Sequence, residues 1–426
     1  MADLGTVAEH STDLDDIDLN DLDGFWGRPE PEIADAFAWL RRNDPVRFFP
    51  EPRYRRLPEG RGYWAVTRYE DVIEVSKRPE TFCSSQGIGI PDQPRELDEA
   101  FNSMIAMDDP RHAKMRRVVS AGFTPRMLAK LESTVQQVAR EILDDVGPRG
   151  ECDFVTDVAA ALPLRIVCDL MGIPASQYEF VFDRTNVILG AGDPEFVPIG
   201  QSRLGAVTQA GEDLIAVMDD LARVRTARPT DDLTSVLLAA EVEGEKLTHR
   251  ELGSFFNLLV AAGNETTRNA IAWGLVYLTQ HPDQRRAWQN DFDAVAPTAV
   301  DEIVRYASPV VHFRRTVTED TVLAGRQLHA GDKVVLFYNS ANRDEAAFDE
   351  PERFDVTRSP NYHVGFGGPG PHFCLGAHLA RREITVMFRE LFTRTPDIEA
   401  TDEPARLRSN FIHGVKHLPC AFTPAA

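Results

Sequence analysis

The sequence predicts a mainly α-helical fold with a smaller β-sheet region, built as a single large domain around one long central helix. Apolar residues make up 43% of the 426-residue chain, which is enough to bury a large core. Most of 110–310 has the apolar spacing of helices, with breaks at stretches such as GPRGE and GAGDPEFVP. Because no repeat or long linker divides the chain, we expect one domain over 26–426, after an acidic, flexible lead at 1–25.

Composition and charge exclude several functional classes. The acidic N-terminus lacks the basic start and apolar stretch of a signal peptide, and no run approaches 18 apolar residues, so we expect no membrane-spanning segment. A net charge of -21 argues against nucleic acid as a partner. The five scattered cysteines do not make a disulfide framework, which indicates a reduced, cytoplasmic protein.

Two stretches predict the smaller sheet region. The stretch GYWAVTRYEDVIEVS at 62–76 is typical of a short strand followed by a helix. The stretch FRRTVTEDTVLAGRQLHAGDKVVLFY at 313–338 alternates apolar and polar residues between glycine-containing turns, as strands do. Strands therefore occur on both sides of the long helical region.

The central helix is predicted to begin at a capping box, in which Thr248 and Glu251 satisfy each other's backbone amides. The apolar run continues to Gln280, just before His281 and Pro282, which gives a length of roughly 50 Å at the usual rise per residue. Such a helix crosses a whole domain. Because it is apolar nearly all round, we expect it to be buried.

In the middle of this helix, the stretch AAGNETTRN places a carboxylate, Glu265, and a hydroxyl, Thr266, in an apolar environment just after Gly263. One interpretation is structural: Thr266 bonds back to a carbonyl one turn earlier, and Gly263 allows close helix packing. However, a buried acid is costly unless it is paired or used. The functional interpretation is that the helix passes over a flat cofactor at Gly263 and that Glu265 and Thr266 handle protons.

The stretch GFGGPGPHFCLGAHLARR at 365–382 surrounds one cysteine with glycines and prolines. Gly365, Gly367 and Gly370 match the spacing of a dinucleotide-binding loop. Pro369 and Pro371 argue against that function, because they remove amide donors that a phosphate would use, and no βαβ unit surrounds the motif. A zinc site is the other alternative, but the spacing of its candidate ligands matches no usual zinc pattern. Those ligands would be His363, His372, Cys374 and His378.

We therefore interpret Cys374 as a single thiolate ligand. It precedes Leu375, Gly376 and a segment of helical apolar period, so it lies at a helix N-terminus, where amide donors and the helix dipole favour the thiolate. We expect Gly370 and Gly376 to let backbone amides approach the sulfur, and 367–368 to lie flat against a planar ring. A sole cysteine thiolate on a large planar metal complex indicates a heme that activates O2.

Charged residues elsewhere fit such a site. Glu302 and Arg305 lie three residues apart and, with Arg353, are expected to form a buried ion network that braces the cysteine loop. A second group of polar residues could bind an anionic ligand. Two of them, His112 and Arg116, form an HxxxR pair, which is more often a solvated helix face. The group consists of His112, Arg116, Arg315 and His372.

The motifs AGNETT, EIVR, PERFD and GPHFCLG occur in the order found in bacterial cytochromes P450, and the chain resembles that family over roughly 30–425. The resemblance implies the cytochrome P450 fold, with the long helix over the heme. It also implies a monooxygenase that inserts one oxygen atom from its co-substrate O2 into an unactivated C–H bond. Cys374 would be the axial thiolate of heme b (iron protoporphyrin IX), and Glu265 and Thr266 would deliver protons.

The remaining site residues follow from the same resemblance. The structural triad corresponds to Glu302, Arg305 and Arg353. The residues that contact the heme propionates correspond to His112, Arg116, Arg315 and His372. Gly263 and Phe366 are the further expected heme contacts.

A narrower resemblance is to the actinobacterial subgroup that hydroxylates methyl-branched lipids, including sterol side chains, at the chain end. It is based on LVAAGNETTRNAI, APTAVDEIVRYASPVV, LGAHLARREI and DEPARLRSNFIHGVKHLP. Phe366 also lies one place further from the cysteine than in most of the superfamily, as in that subgroup. Pro369 and Pro371 depart from the Gly and Ala more common there and stiffen the loop, so we expect an effect on reduction potential and partner docking.

Substrate contacts are expected from apolar segments on the distal side of the heme, although apolar residues there are equally expected as plain core. The segments are GIGIPDQ at 87–93, AFNSMIAM at 100–107 and TNVILGAGDPEFVPIG at 185–200. The expected pocket residues are Asn257, Val260, Ala262, Val310, Val311, Phe411 and Ile412. We expect Val310 or Val311 to narrow the end of the pocket, so that weaker C–H bonds stay away from the iron.

Electrons are expected from a small iron–sulfur ferredoxin and its NAD(P)H-dependent reductase, because no reductase domain follows. A basic cluster is the expected docking face for an acidic ferredoxin, with a solvated basic patch as the alternative. It comprises Lys114, Arg116, Arg117, Arg126, Arg381 and Arg382. Two other functions stay open: a P450 acting on a macrolide, terpene or other secondary metabolite, and a noncatalytic heme- or lipid-binding protein.

Overall fold

Helices form the larger part of the computed structural model, which describes residues 17–52, 60–93, 103–122, 125–242 and 245–424. The helices before the central one are α1 (Glu30–Asn43), α2 (Tyr69–Lys77), α3 (Arg111–Gly122), α4 (Pro125–Val146), α5 (Ala161–Met171), α6 (Tyr178–Gly190), α7 (Arg203–Ala227) and α8 (Leu233–Ala239). The central helix consists of α9 (His249–Val260) and α10 (Thr266–Gln280), joined by a π-helical turn at Ala261–Glu265. The helices after it are α11 (Pro282–Asn290), α12 (Phe292–Ala307), α13 (Tyr338–Ala341) and α14 (Ala377–Arg394).

The strands are short and are concentrated near the two ends of the chain. The strands before the central helix are β1 (Val46–Phe49), β2 (Tyr63–Val66), β3 (Phe82–Cys83), β4 (Glu151–Asp153), β5 (Glu241–Val242) and β6 (Glu245–Lys246). Those after it are β7 (His312–Val317), β8 (Thr321–Leu323), β9 (Arg326–Leu328), β10 (Lys333–Phe337), β11 (Glu399–Ala400), β12 (Ala405–Arg406), β13 (Val415–His417) and β14 (Pro419–Ala421). The mainly helical fold and both predicted strand regions are therefore confirmed.

The main sheet joins the two ends of the chain, in the strand order β1–β2–β10–β7–β3. Strands β2 and β10 run parallel, and the other neighbours are antiparallel. On β7, Arg314 pairs in register with Val335 of β10, which in turn pairs with Ala65 of β2. A second sheet has the order β11–β14–β4, and β12 and β13 form a separate hairpin.

The central helix begins and ends where the sequence predicts. The Thr248 hydroxyl accepts a hydrogen bond from the Glu251 amide at 3.1 Å, and the Glu251 carboxylate accepts one from the Thr248 amide at 2.9 Å. The helix is then continuous to Gln280, because the π turn at Ala261–Glu265 keeps helical backbone angles on both sides. The capping box gives this helix a fixed start, and burial against its neighbours stabilises the rest.

The largest apolar cluster surrounds the central helix. Phe256 and Ile271 of that helix lie in it with Trp288 of α11, Ile303 of α12 and Phe388 of α14, all almost fully buried. The expected burial of the central helix is thus confirmed for most of its length. No helix among the described residues is long and apolar enough to cross a membrane.

The last part of the expected flexible lead is packed onto the domain. Ile17, Leu19 and Phe25 are buried in a second apolar cluster that also contains Phe37 of α1 and Val335 of β10. The expectation of a boundary at residue 25 is wrong for 17–25, because these apolar side chains pack onto the domain between the acidic ones. The remainder of the predicted lead, 1–16, lies outside the described residues.

Candidate active site

Cys374 lies in the loop that leads into α14, two residues before the N-cap residue of that helix, Gly376. Its amide donates a hydrogen bond to the Phe366 carbonyl at 2.9 Å, so the loop folds back on itself before the helix begins. Its side chain is half-buried. The predicted position of the cysteine at a helix N-terminus agrees with this geometry.

The ionisation of Cys374 differs from the expectation. Burial is the largest influence and raises the pKa of the thiol, while the amides of Gly376 and Ala377 and the charges of Arg116 and Arg381 act in the opposite direction without reversing it. The helix N-terminus alone therefore does not produce a thiolate here. A cation bound at the sulfur would supply the missing stabilisation, as coordination to a metal does.

The glycines of the cysteine loop mainly serve its packing on α2. A Cβ atom at Gly370 would lie 2.2 Å from the Ser76 carbonyl oxygen, and Gly367 has a left-handed φ of 88° that favours glycine. The close approach of α2 is therefore what requires a glycine at position 370. Gly376 does lie beside the sulfur, since a Cβ atom there would be 4.0 Å from Cys374 Sγ.

Phe366 is held by a cation on its face. The Arg381 guanidinium lies 4.4 Å from the centre of the Phe366 ring, and its Nε donates to Asp301 of α12 at 2.7 Å. Arg116 has a similar role on α3, where it donates to the carbonyl oxygens of Pro371 at 3.0 Å and Phe373 at 2.7 Å. Both arginines therefore brace the cysteine loop.

One face of the π turn borders accessible space. Ala262 is exposed, and Gly263 and Thr266 are half-buried, in the middle of an otherwise buried helix. A Cβ atom at Gly263 would lie 2.9 Å from Val167 Cγ2 of α5, so this glycine also allows close helix packing. Both sequence interpretations of Gly263 therefore have a physical basis in this structure.

Thr266 makes the back-bond that the structural interpretation requires. Its hydroxyl donates to the Ala262 carbonyl at 2.6 Å, one helical turn earlier. This bond uses the donor and leaves the acceptor lone pairs of the hydroxyl on the accessible face. The side chain can therefore accept a hydrogen bond from a ligand that occupies this space.

Glu265 is buried and paired with Arg268, one turn later on the same helix. Its Oε1 also accepts a hydrogen bond from the side-chain Nδ2 of Asn269 at 3.0 Å. Arg268 in turn donates to the side-chain oxygen of Asn186 on α6 at 2.9 Å. Glu265 Oε2 has no hydrogen-bond partner among the described residues. Arg268 was missed by the sequence analysis, although the i, i+3 spacing used for Glu302 and Arg305 would have found it.

The histidines of the second polar group, His112 and His372, lie together, but they do not add to the positive charge of Arg116 and Arg315. The rings of His112 and His372 lie 4.2 Å apart, and the His372 Nε2 lies 3.1 Å from the Ser84 hydroxyl. Burial, assisted by the nearby positive charge of Arg315, lowers the pKa of His372 to about 3, and burial also lowers that of His112. Both imidazoles are therefore neutral hydrogen-bonding groups, and the two arginines supply the positive charge.

The expected ion network forms with a different third member. Glu302 and Arg305 are fully buried and joined by two hydrogen bonds of 2.7 and 2.8 Å. Arg358 donates to the same carboxylate at 3.1 and 3.2 Å. The prediction for Arg353 is wrong: its side chain is 56% exposed and pairs with Glu350, and only its backbone carbonyl contacts Arg305.

The expected pocket residues separate into two groups. Ala262, Val310 and Phe411 are at least partly accessible. The others are buried against neighbouring elements, as Asn257 is against the Gly211 carbonyl of α7, and do not border accessible space in this structure. These buried residues are Asn257, Val260, Val311 and Ile412. Val310 nevertheless forms a β-bridge with Ile412, so the two predicted segments do lie side by side.

The expected basic docking face is less extensive than the sequence indicates. Arg116 and Arg381 are engaged with the cysteine loop, and the Arg126 side chain lies outside the described part of the structure. The same holds for residues 100–102 of the expected substrate segment 100–107. Arg117 and Arg382 are exposed. The other described members of the predicted cluster, Lys114, Arg116 and Arg381, are half-buried.

These residues fit a heme held by a cysteine. The half-buried sulfur can serve as a metal ligand, the face at Ala262 and Thr266 is accessible, and two arginines beside neutral histidines can contact anionic groups. The described residues also contain no cluster of His, Cys, Asp and Glu that could hold a metal ion on its own. The donor set therefore suits a planar complex with one thiolate ligand and not a zinc site.

Comparisons with known proteins agree with this chemistry. The family model described as Cytochrome P450 matches residues 209–395. A methyl-branched lipid omega-hydroxylase of Mycobacterium tuberculosis is 49% identical over 96% of this chain and 95% of its own. A steroid C26-monooxygenase of Mycolicibacterium smegmatis is 37% identical over 92% of this chain and 91% of its own. A solved Mycobacterium marinum cytochrome P450 in complex with pseudoionone superposes with a TM-score of 0.91 at 43% identity, covering 95% of this chain and 99% of that chain.

Proposed function

This chain belongs to the cytochrome P450 family, and from that premise we propose that it hydroxylates the chain end of a methyl-branched lipid. The enzyme is a P450 monooxygenase, which uses O2 and a heme with a thiolate ligand. The observation that carries the substrate proposal is the 49% identity, over 96% of this chain, to the mycobacterial methyl-branched lipid omega-hydroxylase. Identity at that level and coverage makes a shared substrate class the simplest inference.

In this proposal Cys374 would hold heme b through its thiolate. When bound, the heme supplies the O2 activation that allows one oxygen atom to enter an unactivated C–H bond. Arg116 and Arg315 provide positive charge for the propionates, and His112 and His372 provide neutral donors. Phe366, fixed by the Arg381 guanidinium, holds the cysteine loop in shape.

Glu265 and Thr266 are proposed to move protons on the accessible side of the central helix. Arg268 and Asn269 hold one oxygen of the Glu265 carboxylate, which leaves Oε2 as the proton-accepting atom. The Thr266 hydroxyl donates to the Ala262 carbonyl and can rotate to donate elsewhere when a ligand is present. The two residues together can pass a proton from the buried acid toward the open face.

Selectivity for the chain end is proposed to depend on a narrow pocket next to Val310. Val310 is half-buried, bridges to Ile412 and precedes β7, so its backbone is held in place. A narrow end would admit a terminal methyl group and exclude the weaker C–H bonds beside it. Val311 is not part of this proposal, because it is buried in the second apolar cluster.

A sterol side chain is the second candidate substrate. The steroid C26-monooxygenase of Mycolicibacterium smegmatis is 37% identical over 92% of this chain, and a steroid side chain also ends in methyl branches. The two candidates share the same chemistry at the chain end. They differ in the size of the rest of the substrate, which the pocket must also hold.

Electrons are proposed to arrive from an iron–sulfur ferredoxin and its NAD(P)H-dependent reductase, docked at exposed cations such as Arg117 and Arg382. We also propose that the enzyme works in the reducing cytoplasm. This proposal is supported by the five scattered cysteines, which do not make a disulfide framework.

The experiment is an absorption titration of the purified ferric protein, because a ligand that displaces water from the iron shifts the heme band. The ligands are a methyl-branched fatty acid, its linear counterpart, a cholestenone and a macrolide. We expect a saturable shift with the branched acid and a weaker one with the linear acid. A shift with the macrolide alone would place the enzyme in secondary metabolism, and the absence of a heme band in heme-supplied protein would contradict the assignment of Cys374.

A further inference from the structure

Two of the five cysteines face each other in the second sheet, which has the order β11–β14–β4. Cys152 of β4 pairs in register with Cys420 of β14, and the two sulfur atoms lie 3.3 Å apart. The two residues are 268 positions apart in the sequence. Neither cysteine belongs to the candidate active site or to the expected pocket, so the function described above gives their contact no role.

The backbone at this pair has the geometry that a disulfide requires. Directly opposite residues of an antiparallel pair have Cα atoms about 4.5–5.5 Å apart, and disulfides occur at Cα separations of about 4.4–6.8 Å. The side chains of such residues also lie on the same face of the sheet. Because the two sulfur atoms are already in contact, a small rotation of the side chains is enough to join them, and the strands need not move.

The other cysteines are placed differently. Cys83 of β3 is buried opposite a threonine of β7, and Cys168 is fully buried on α5. Single buried cysteines of this kind act as small apolar side chains. The contact between Cys152 and Cys420 is therefore not a general consequence of how this chain buries its cysteines.

The two sulfur atoms of the pair differ in their access to solvent. β4 is an edge strand, and Cys152 on it is half-buried, whereas Cys420 on the middle strand is only 2% exposed. A small oxidant that arrives from solvent reaches Cys152 first, and Cys420 lies next to it. This is the arrangement of a reacting thiol with a resolving thiol.

We propose that Cys152 and Cys420 form a reversible disulfide when the enzyme is exposed to hydrogen peroxide, and that this bond clamps β14 to β4. The oxidant comes from the co-substrate of the enzyme itself, because two electrons and two protons convert O2 into hydrogen peroxide whenever no substrate is oxidised. In the reducing cytoplasm the pair returns to two thiols once the peroxide is gone. The inference does not depend on which substrate the enzyme hydroxylates.

The reaction proceeds in two steps. The Cys152 sulfur attacks one oxygen atom of the peroxide, the O–O bond breaks, one water leaves and a sulfenic acid remains on Cys152. The Cys420 sulfur then attacks the Cys152 sulfur, the S–O bond breaks, the S–S bond forms and a second water leaves. The two sulfur atoms together lose two electrons, the peroxide is reduced to two waters, and each thiol proton leaves in one of them.

The pair reacts slowly, which suits a response to sustained exposure. The hydrogen bond with the Cys420 sulfur and the burial of the pair raise the pKa of the Cys152 thiol, and the charges of Asp157 and Asp153 act in the same direction. Because the thiolate is the nucleophile, little of the reactive form exists at neutral pH. Short exposure to peroxide therefore leaves both thiols free.

The two clamped strands lead to elements that contact the central helix. β4 continues into a π-helical turn at Val155–Ala159 and then into α5, and Val167 of α5 lies beside Gly263. β14 follows β13, where the Val415 amide donates to the side-chain oxygen of Asn269 at 3.0 Å. A bond between the strands also closes a long stretch of chain, which restricts the unfolded state and so stabilises the folded one.

The test is peptide mapping of the holoenzyme after treatment with hydrogen peroxide. Remaining thiols are alkylated with N-ethylmaleimide, the protein is cleaved without reduction, and the peptides are identified by mass spectrometry. We expect a cross-linked pair of peptides that contain Cys152 and Cys420, which dithiothreitol separates. Cys152→Ala should abolish this pair, and Cys83→Ala, which removes a buried thiol elsewhere, should leave it. The inference is overturned if both thiols stay free, or if Cys152 becomes a sulfinic acid or links only to a second chain.

Thermal melting of the oxidised and the reduced holoenzyme tests the clamp. The wild type should melt about 2–4 °C higher after oxidation, and dithiothreitol should remove the gain. Cys152→Ala should show no such gain after the same treatment. A cross-linked wild type that melts no higher than the reduced protein would contradict the clamp, and this comparison decides the point even if a variant does not fold.

Discussion

Glu265 and Arg268 form a buried ion pair inside the central helix, and the free energy of unfolding depends on the presence of both charges. Arg268→Ala would leave the Glu265 carboxylate buried without a counter-ion. We expect the free energy of unfolding to fall by about 3–5 kcal/mol, as for other broken buried pairs. Denaturant unfolding measures this, and Arg223→Ala, which removes an exposed pair with Asp220, should cost less than about 0.5 kcal/mol. Equal effects of the two substitutions would show that Glu265 and Arg268 are not buried together.

Thr266 carries a proposed role that its back-bond alone does not explain. Thr266→Ala should leave NAD(P)H consumption running while the product formed per electron pair falls about tenfold or more, because a proton-transfer group is lost. Thr279→Ala is the matched control, since Thr279 makes the same back-bond to Leu275 at 2.8 Å. Product yield and cofactor oxidation are measured together. An unchanged yield in Thr266→Ala would favour the structural interpretation.

Among the structural elements, the loop that follows α13 is held by Arg358 and not by Arg353. Arg358→Ala should unpair the buried Glu302 carboxylate, destabilise the protein by about 3–5 kcal/mol and reduce heme incorporation, because this loop leads into the cysteine loop. Arg353→Ala, in the same segment, should cost less than about 0.5 kcal/mol. Thermal melting and the heme-to-protein absorbance ratio distinguish the two. A larger loss of stability in Arg353→Ala than in Arg358→Ala would support the sequence prediction that Arg353 belongs to the ion network.

Helix α2, on which the cysteine loop packs, carries a buried acid whose charge opposes folding. Burial raises the pKa of Asp71 from 3.8 to about 6, and nearby Glu70 adds to the shift. Because the folded-state pKa is above the unfolded one, stability is lost as pH rises from about 4 through 6. Asp71→Asn should therefore raise the melting temperature at pH 7.5 and have no effect near pH 4.

The control for Asp71→Asn is Glu132→Gln, which removes an exposed carboxylate on α4, away from Asp71. It should show no pH-dependent gain. Melting temperatures of both variants and the wild type at several pH values test this. A gain for Asp71→Asn that is the same at pH 4 and pH 7.5 would show that the buried charge is not its cause.

How far the sequence predicts each element depends on how local its determinants are. The capping box at Thr248 and the helix start after Cys374 involve residues close in sequence, and both were predicted. The third member of the ion network was not, because a loop has no periodicity that distinguishes Arg353 from Arg358. The contact of Cys152 with Cys420 joins distant parts of the chain, and the buried Leu19 lies among acidic residues, so neither was visible before the fold was known.

On the scale of the whole molecule, a net charge of -21 makes any positive surface distinctive. If Arg382 belongs to a ferredoxin-docking face, Arg382→Glu should slow reduction of the heme at low ionic strength, and added salt should slow the wild-type reaction, because charge attraction speeds encounter and is screened by ions. Arg223→Glu makes the same charge change on α7 and serves as the control. Stopped-flow reduction rates that change neither with added salt nor with Arg382→Glu would exclude this face.

The measurement that tests the account most directly is product analysis under isotopically labelled O2. The holoenzyme, with a ferredoxin, its reductase and NAD(P)H, is given a methyl-branched fatty acid in an atmosphere of ¹⁸O₂. The account predicts one labelled oxygen atom in a primary alcohol at the chain end, identified by mass spectrometry of the product. An unlabelled product, or a label found only at interior carbons, would contradict chain-end hydroxylation by this enzyme.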